Sequence, residues 1–259
     1  MTVPPLWPPG DTRPDCAFFL DIDGTLLDFA DDPAGVRVDA ALRALLARLL
    51  QVSAGAVALI SGRSLSDLDA LFAPTVFPAA GQHGAERRRA DGILRRDLAR
   101  ADQLRPAARR LAGFAAREPG VFLEDKGLSL AIHFRRRPEL CAAVASEVRG
   151  TAAALGAAWA LQQGRLVFEI KPADRDKGMA IAEFMAEPPF AGRVAVFVGD
   201  DHTDERGFAV VNRLGGLSLK VGAEETAARW RLPDASAVRS WLAACADRLA
   251  RPRPEGRGP

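Results

Sequence analysis

A chain of 259 residues, 48% hydrophobic and 26% charged, is built like a globular protein with room for one large domain or two modest ones. A net charge of +2 argues against general binding to nucleic acid or to anionic membrane surfaces, and no apolar run reaches the length of a membrane span. Cys16, Cys141 and Cys245 are odd in number and far apart, which predicts reduced thiols in a cytoplasmic protein and neither a zinc site nor a disulfide framework.

The opening MTVPPLWPPGDTRPD lacks the basic and apolar regions of a signal peptide. Residues 1–14 and the tail 249–259 are expected to be disordered arms. The strand CAFFL comes next. A helix follows, with Val38, Leu42, Leu45 and Leu49 at helical spacing, and then the buried strand AGAVALI. Ser64 is a natural N-cap for SLSDLDALF, with Asp67 three residues on. From about residue 86 to 172 the pattern changes. Leu104, Ala108, Leu111 and Ala115 share a helical face, and Leu128, Leu130, Ile132 and Phe134 alternate in a hairpin with EDKG as its turn. Leu140, Val144, Val148 and Leu155 mark another helix, and WALQQGRLVFEIK is a second hairpin with Leu166, Phe168 and Ile170 on one face. The first pattern then returns with KGMAIAEFM, RVAVFV and LSLKVG. The expected fold is α/β, a doubly wound and mostly parallel sheet over 15–85 and 173–248, interrupted by an α+β cap over 86–172. The ligand site is expected in the cleft between them.

Four polar clusters fall just past strand ends or at a helix start: Asp21-Ile-Asp23-Gly-Thr, Ser61-Gly-Arg63, Lys177-Gly, and Gly199-Asp200-Asp201 through Asp204. In open α/β sheets that edge is where ligands bind. Carboxylates without a histidine or cysteine cluster suit Mg²⁺, and a metal, a lysine and a small hydroxyl together suit phosphoryl transfer. Each cluster also has a plain reading. Asp-Gly after a strand is often only a turn, and Glu124 and Lys126 can be ordinary hairpin charges. Lys171 competes with Lys177 but ends a cap strand and is expected to be solvated. His133 is read as structural and His202 as surface. The runs ERRRADGILRR and FRRRP are read as solvated faces that help attract an anionic substrate.

In this order the clusters resemble the haloacid dehalogenase superfamily of phosphatases. GQHGAE, EDKG, LQQGRLVFEIKP and GDDHTDERGFAVVNRLGGLSLKVG resemble its trehalose-6-phosphate phosphatase family over roughly residues 16 to 245. The resemblance implies that Asp21 is the nucleophile and that Asp23 protonates the leaving oxygen and then activates water. It implies Mg²⁺ held by Asp21, Asp200 and the backbone carbonyl of Asp23. Ser61 and Lys177 bind the phosphoryl group, and Asp204, with Asp201 as a weaker candidate, orients Lys177 or a metal-bound water. Glu124, Lys126 and Glu169 grip sugar hydroxyls, with Arg63 and His83 as lesser candidates at the cleft mouth. The Pro-rich arm and the acid-rich LLDFADDP depart from the family pattern. The resemblance implies Mg²⁺-dependent hydrolysis of trehalose 6-phosphate to trehalose and phosphate, through an aspartyl-phosphate, by a monomer. The alternatives are another sugar phosphate, such as sucrose 6-phosphate, or a non-catalytic module of a sugar-phosphate synthase.

Overall fold

The computed structural model describes residues 15–28, 37–96, 98–164 and 166–251. The arm over 1–14, most of the acid-rich stretch and the end of the tail lie outside the described residues.

The chain opens with β1 (Cys16–Leu20), α1 (Ala40–Val52), β2 (Val57–Ile60), α2 (Leu65–Phe72) and β3 (Ala79–Gly81), then β4 (Glu86–Arg88) and β5 (Leu94–Arg96). It continues through α3 (Leu98–Arg117), β6 (Phe122–Asp125), β7 (Leu130–His133), α4 (Cys141–Leu155), β8 (Trp159–Gly164) and β9 (Val167–Pro172). It closes with α5 (Lys177–Met185), β10 (Val194–Gly199), α6 (Glu205–Arg213), β11 (Leu217–Val221), β12 (Trp230–Leu232) and α7 (Ala235–Leu249).

The larger sheet has the order β12-β11-β10-β1-β2-β3-β4-β5, parallel from β12 to β3 and antiparallel beyond. Its central strand shows why: Cys16, Phe18 and Leu20 enter the core beneath α1, α2 and α7, while Ala17 and Phe19 enter the core beneath α5 and α6. A strand buried on both faces needs continuous apolar sequence, and crossovers on both faces supply the cover. Full burial of one such phenylalanine is worth about 1.5–3 kcal/mol. Ser64 and Asp67 form the expected capping box on α2. In α1 the buried face is Leu42, Leu46 and Leu49, with Leu45 only partly buried.

The smaller sheet, β6-β7-β9-β8, is antiparallel and carries its own core with α3 and α4, including Leu130, Ile132, Phe134, Phe168 and Ile170. Residues 86–96, placed by the sequence reading in the inserted unit, instead pair as β4 and β5 on the edge of the large sheet. These strands are short and arginine-rich, so no apolar alternation marks them. Ladder bonds hold β4 to β3 and β5 to β4, together with ion pairs such as Arg87–Glu187 at 2.6 Å. Among the described residues no helix is long and apolar enough to cross a membrane.

Candidate active site

The parallel register sets Leu20 beside Val198 on one side and Leu59 on the other. The residues that follow these three strands therefore meet on one sheet edge. Asp21 is buried there, and its backbone N–H donates to Val198 O at 3.1 Å. Lys177, at the start of α5, donates from Nζ to Asp21 Oδ1 at 2.8 Å and to Asp204 Oδ1 at 2.7 Å. The other Asp204 oxygen accepts the backbone N–H groups of Asp200 and Asp201, each at 3.0 Å. Gly199 makes this possible: a Cβ there would lie 2.3 Å from Asp204 Cγ. Thr25 Oγ1 lies 3.3 Å from Asp21 Oδ2 and 2.9 Å from Asp200 Oδ1. Lys220 Nζ donates to the Asp200 carbonyl and fixes that loop from below.

Burial raises both Asp21 and Asp204 above the usual carboxylate range. Lys177 offsets this in part, and repulsion from Asp200 and Asp201 adds to the rise at Asp21. Burial opposes the charge on Lys177, but Asp204 and Asp21 hold its pKa well above normal. Burial also works against ionised Asp201, yet Lys177 and the Thr203 hydroxyl draw it below its ordinary value. Asp200 is raised to about 6 by burial and then by Asp204. One ammonium thus faces more carboxylate than it can neutralise, which is the condition a bound cation relieves.

Asp21, Asp200 and Asp204 each offer an oxygen, all within 4.8 Å of one another. Asp204 spends one oxygen on Lys177 and the other on two backbone N–H groups, whereas Asp21 Oδ2 and Asp200 Oδ1 share only the single Thr25 hydroxyl, so Asp21 and Asp200 are the better donors. An all-oxygen pair with excess negative charge fits Mg²⁺. The pH dependence of stability follows from the same groups. Folded Asp200 holds its proton up to about pH 6, above the unfolded value. Its contribution is therefore complete below about pH 4 and lost as the pH rises through about 6. Metal-free protein should weaken over that window by on the order of 2 kcal/mol. Mg²⁺ should raise Tm more at pH 7.5 than at pH 5. Thermal unfolding in EDTA and in Mg²⁺ at both pH values checks this, and an equal shift at both would contradict it.

The Asp23 carboxylate turns instead to Arg63, which donates to it from Nε and from a terminal nitrogen at 2.7 Å each. Ser61 follows β2, is buried, and its Oγ accepts from the Arg63 backbone N–H at 3.1 Å.

A second cluster joins core to cap. His83, with φ +56°, brings Nε2 to 3.2 Å from Glu169 Oε2 on β9. Gly62 leaves room for that ring, since a Cβ would lie 2.8 Å from Nε2. Lys126, from the β6–β7 turn, reaches Gly62 O at 3.1 Å and Glu169 Oε1 at 3.3 Å, with Glu124 at 4.0 Å. Burial opposes the charge on Glu169, but Lys126, His83 and Ser129 hold its pKa far below normal. Burial likewise opposes the charge on Lys126, which Glu169 and Glu124 nevertheless keep protonated to above its ordinary range. Burial lowers His83, whose Nδ1 meets no hydrogen-bond partner among the described residues. A neutral ring that donates from Nε2 to Glu169 leaves Nδ1 as an open acceptor. Glu124 accepts from His133 at 2.9 Å, which gives that structural histidine a positioning contact.

Between the clusters lies a cavity of about 730 Å³, lined by His83, Gln162, Lys171, Arg175, Lys177 and Arg206 among others. Lys171 is not solvated as expected: it is buried, and Nζ donates to Arg175 O at 2.6 Å. His202 is exposed at the rim, as its reading anticipated. The sequence reading gave no role to Thr25, Gln82 or Gln162. Thr25 stood inside the quoted motif, and its hydroxyl beside two acids was a usable signal. The two glutamines stood inside the quoted GQHGAE and LQQGRLVFEIKP, but nothing in their residue type or spacing marked them out.

The trehalose-phosphatase family model matches residues 19–236. The chain is 46% identical over 229 residues to trehalose-6-phosphate phosphatase of Escherichia coli, covering 87% of this chain and 85% of that protein. It is 45% identical over 232 residues to a probable trehalose-phosphate phosphatase of Sinorhizobium fredii, covering 89% and 87%. Among solved structures, a trehalose-6-phosphate phosphatase related protein superposes with a TM-score of 0.72 at 25% identity, covering 87% of this chain and 95% of that one.

Proposed function

The chain belongs to the trehalose-phosphatase family, with the fold of haloacid dehalogenase phosphatases, and we propose that it hydrolyses trehalose 6-phosphate to trehalose and phosphate. One observation carries the reading: Lys177, bonded to Asp21, and Gln162 of the cap line the same cavity. A phosphoryl group bound against the core would then hold its sugar against the cap.

Asp21 attacks phosphorus, forming an Oδ–P bond as the bond from phosphorus to the sugar oxygen breaks. Asp23 gives a proton to that oxygen. Asp23 then takes a proton from water as the water attacks phosphorus, and the Asp21–phosphorus bond breaks to release phosphate. Lys177 and Ser61 hold phosphoryl oxygens, and Asp204 keeps Lys177 in place. Asp23 must exchange Arg63 for the substrate oxygen on each turnover. Mg²⁺, held by Asp21, Asp200 and the Asp23 carbonyl, would supply charge neutralisation for the transferred group.

Phosphate release from trehalose 6-phosphate, sucrose 6-phosphate and glucose 6-phosphate, with Mg²⁺ or EDTA, tests this. Preference for the first with Mg²⁺ is expected. Equal or greater turnover of the others, or turnover undiminished in EDTA, would overturn it.

The cap residues should set specificity and leave the chemistry alone. A hydrogen bond to a charged group is worth about 1.5–3 kcal/mol, so Lys126→Ala or Glu124→Ala should cost roughly 10- to 100-fold in kcat/KM for the disaccharide phosphate. Hydrolysis of a small aryl phosphate, which cannot reach the cap, should change little. Parallel losses on both substrates would return these residues to the role of turn charges.

A further inference from the structure

The backbone of the β6–β7 turn, which carries Lys126, is bonded to the core by a buried side chain, Gln82, beside the contact that Lys126 Nζ makes with Gly62 O. Gln82 lies two residues before Gly84, is buried, and sits at φ +48°, a conformation uncommon outside glycine. Its Nε2 donates to Lys126 O at 2.7 Å, and its Oε1 accepts the Leu128 backbone N–H at 3.1 Å. The side-chain amide thus pairs with a carbonyl and an N–H of the cap turn, as a strand neighbour would. The Ser129 hydroxyl lies between Gln82 Oε1 at 3.2 Å and Glu169 Oε1 at 2.7 Å.

Glu86 fixes which way the amide faces. Its Oε1 accepts from Gln82 Nε2 at 3.2 Å and from the Leu65 N–H at 2.7 Å, while its Oε2 accepts from Arg96 at 2.7 Å. A carboxylate in that place can only accept, so the NH₂ group must point toward it and the carbonyl oxygen toward Leu128. Glu86 is itself anchored to the N-terminus of α2 and to β5, so the orientation comes from the core.

We propose that Gln82 is a positioning residue for sugar specificity, a latch that registers the cap turn on the core and thereby places Lys126 and Glu169 over the cleft. It touches backbone of the very turn that carries Lys126, and through Ser129 it adjoins Glu169. Lifting the turn off the core must break the Lys126 and Leu128 bonds together. The reference to sugar rests on the proposed trehalose 6-phosphate reading, whereas the latch itself does not.

The test uses the full chain carrying Gln82→Met, which keeps length and loses every side-chain hydrogen bond. Amide exchange at Leu128 should quicken by about 10-fold or more while the amides of β1 and β10 keep their protection. The ratio of kcat/KM for trehalose 6-phosphate to that for an aryl phosphate should fall by about 10-fold. Gln82→Asn, one methylene shorter, gives the same comparison if Gln82→Met does not accumulate folded. Unchanged exchange at Leu128, or an equal loss on both substrates, overturns the proposal. So does failure of both variants to fold, which would make Gln82 a residue of the fold. Faster Leu128 exchange in a protein whose wild type does not hydrolyse trehalose 6-phosphate leaves the latch standing and sinks the sugar reading.

Discussion

Asp21→Asn should reduce turnover of every phosphate ester to background, a loss of at least about 10⁴-fold in kcat, while the protein stays folded. The amide keeps the shape of the carboxyl but has no charge with which to attack phosphorus. Lys177 retains its second partner, Asp204 at 2.7 Å, so no unpaired ammonium is left in the interior. Burial and the neighbouring acids already press Asp21 toward its neutral form. The variant should therefore match or exceed the metal-free wild type in Tm. Activity and thermal unfolding in EDTA are the measurements. Turnover above about a hundredth of wild type, far more than loss of a covalent nucleophile permits, would remove Asp21 from that role.

The parts of this site that were legible in the sequence are those that strand-end geometry dictates. CAFFL, AGAVALI and RVAVFV read as buried strands, and the polar residues after them had to gather on one edge once the strands ran parallel. The cap hairpins were legible because Leu130, Ile132, Phe168 and Ile170 alternate into a dry core. What escaped was decided by contacts distant in sequence. β4 and β5 are arginine strands that a neighbour's backbone recruits, so hydrophobic period says nothing about them. Gln82 became visible only when the chain brought residues 82 and 126 together, 44 positions apart. Lys171 looks solvated in a one-dimensional reading because the cavity that covers it is built by α5 and α6 as well as by its own strand. The pairing of Asp23 with Arg63, 40 positions away, likewise depends on how two βα turns face each other.

Lys177→Met should abolish activity as Asp21→Asn does, yet move stability in the opposite direction. Lys177 is 3% exposed, between two carboxylates that are themselves buried. Methionine fills the same length without charge and leaves Asp21 and Asp204 without their shared cation. Removing one partner of a buried ion pair costs about 3–5 kcal/mol. For a chain of this size that is a fall in Tm of roughly 10 °C. Protonation limits the damage: with the ammonium gone, the folded pKa of both acids rises further above the unfolded value. The variant should therefore be least impaired at pH 5 and lose stability as the pH climbs toward 8. Adding Asp204→Asn should recover part of that stability and none of the turnover, since the phosphoryl group still meets no cation from α5. Both the sugar phosphate and an aryl phosphate should be lost together, in contrast to the cap variants, because in the proposed mechanism both set a phosphoryl group against Lys177. The measurements are Tm in EDTA at pH 5 and pH 8, and phosphate release from both esters. A pH-independent Tm change, or an aryl phosphatase activity that survives Lys177→Met, would show that the lysine neither balances these acids nor holds the phosphoryl group.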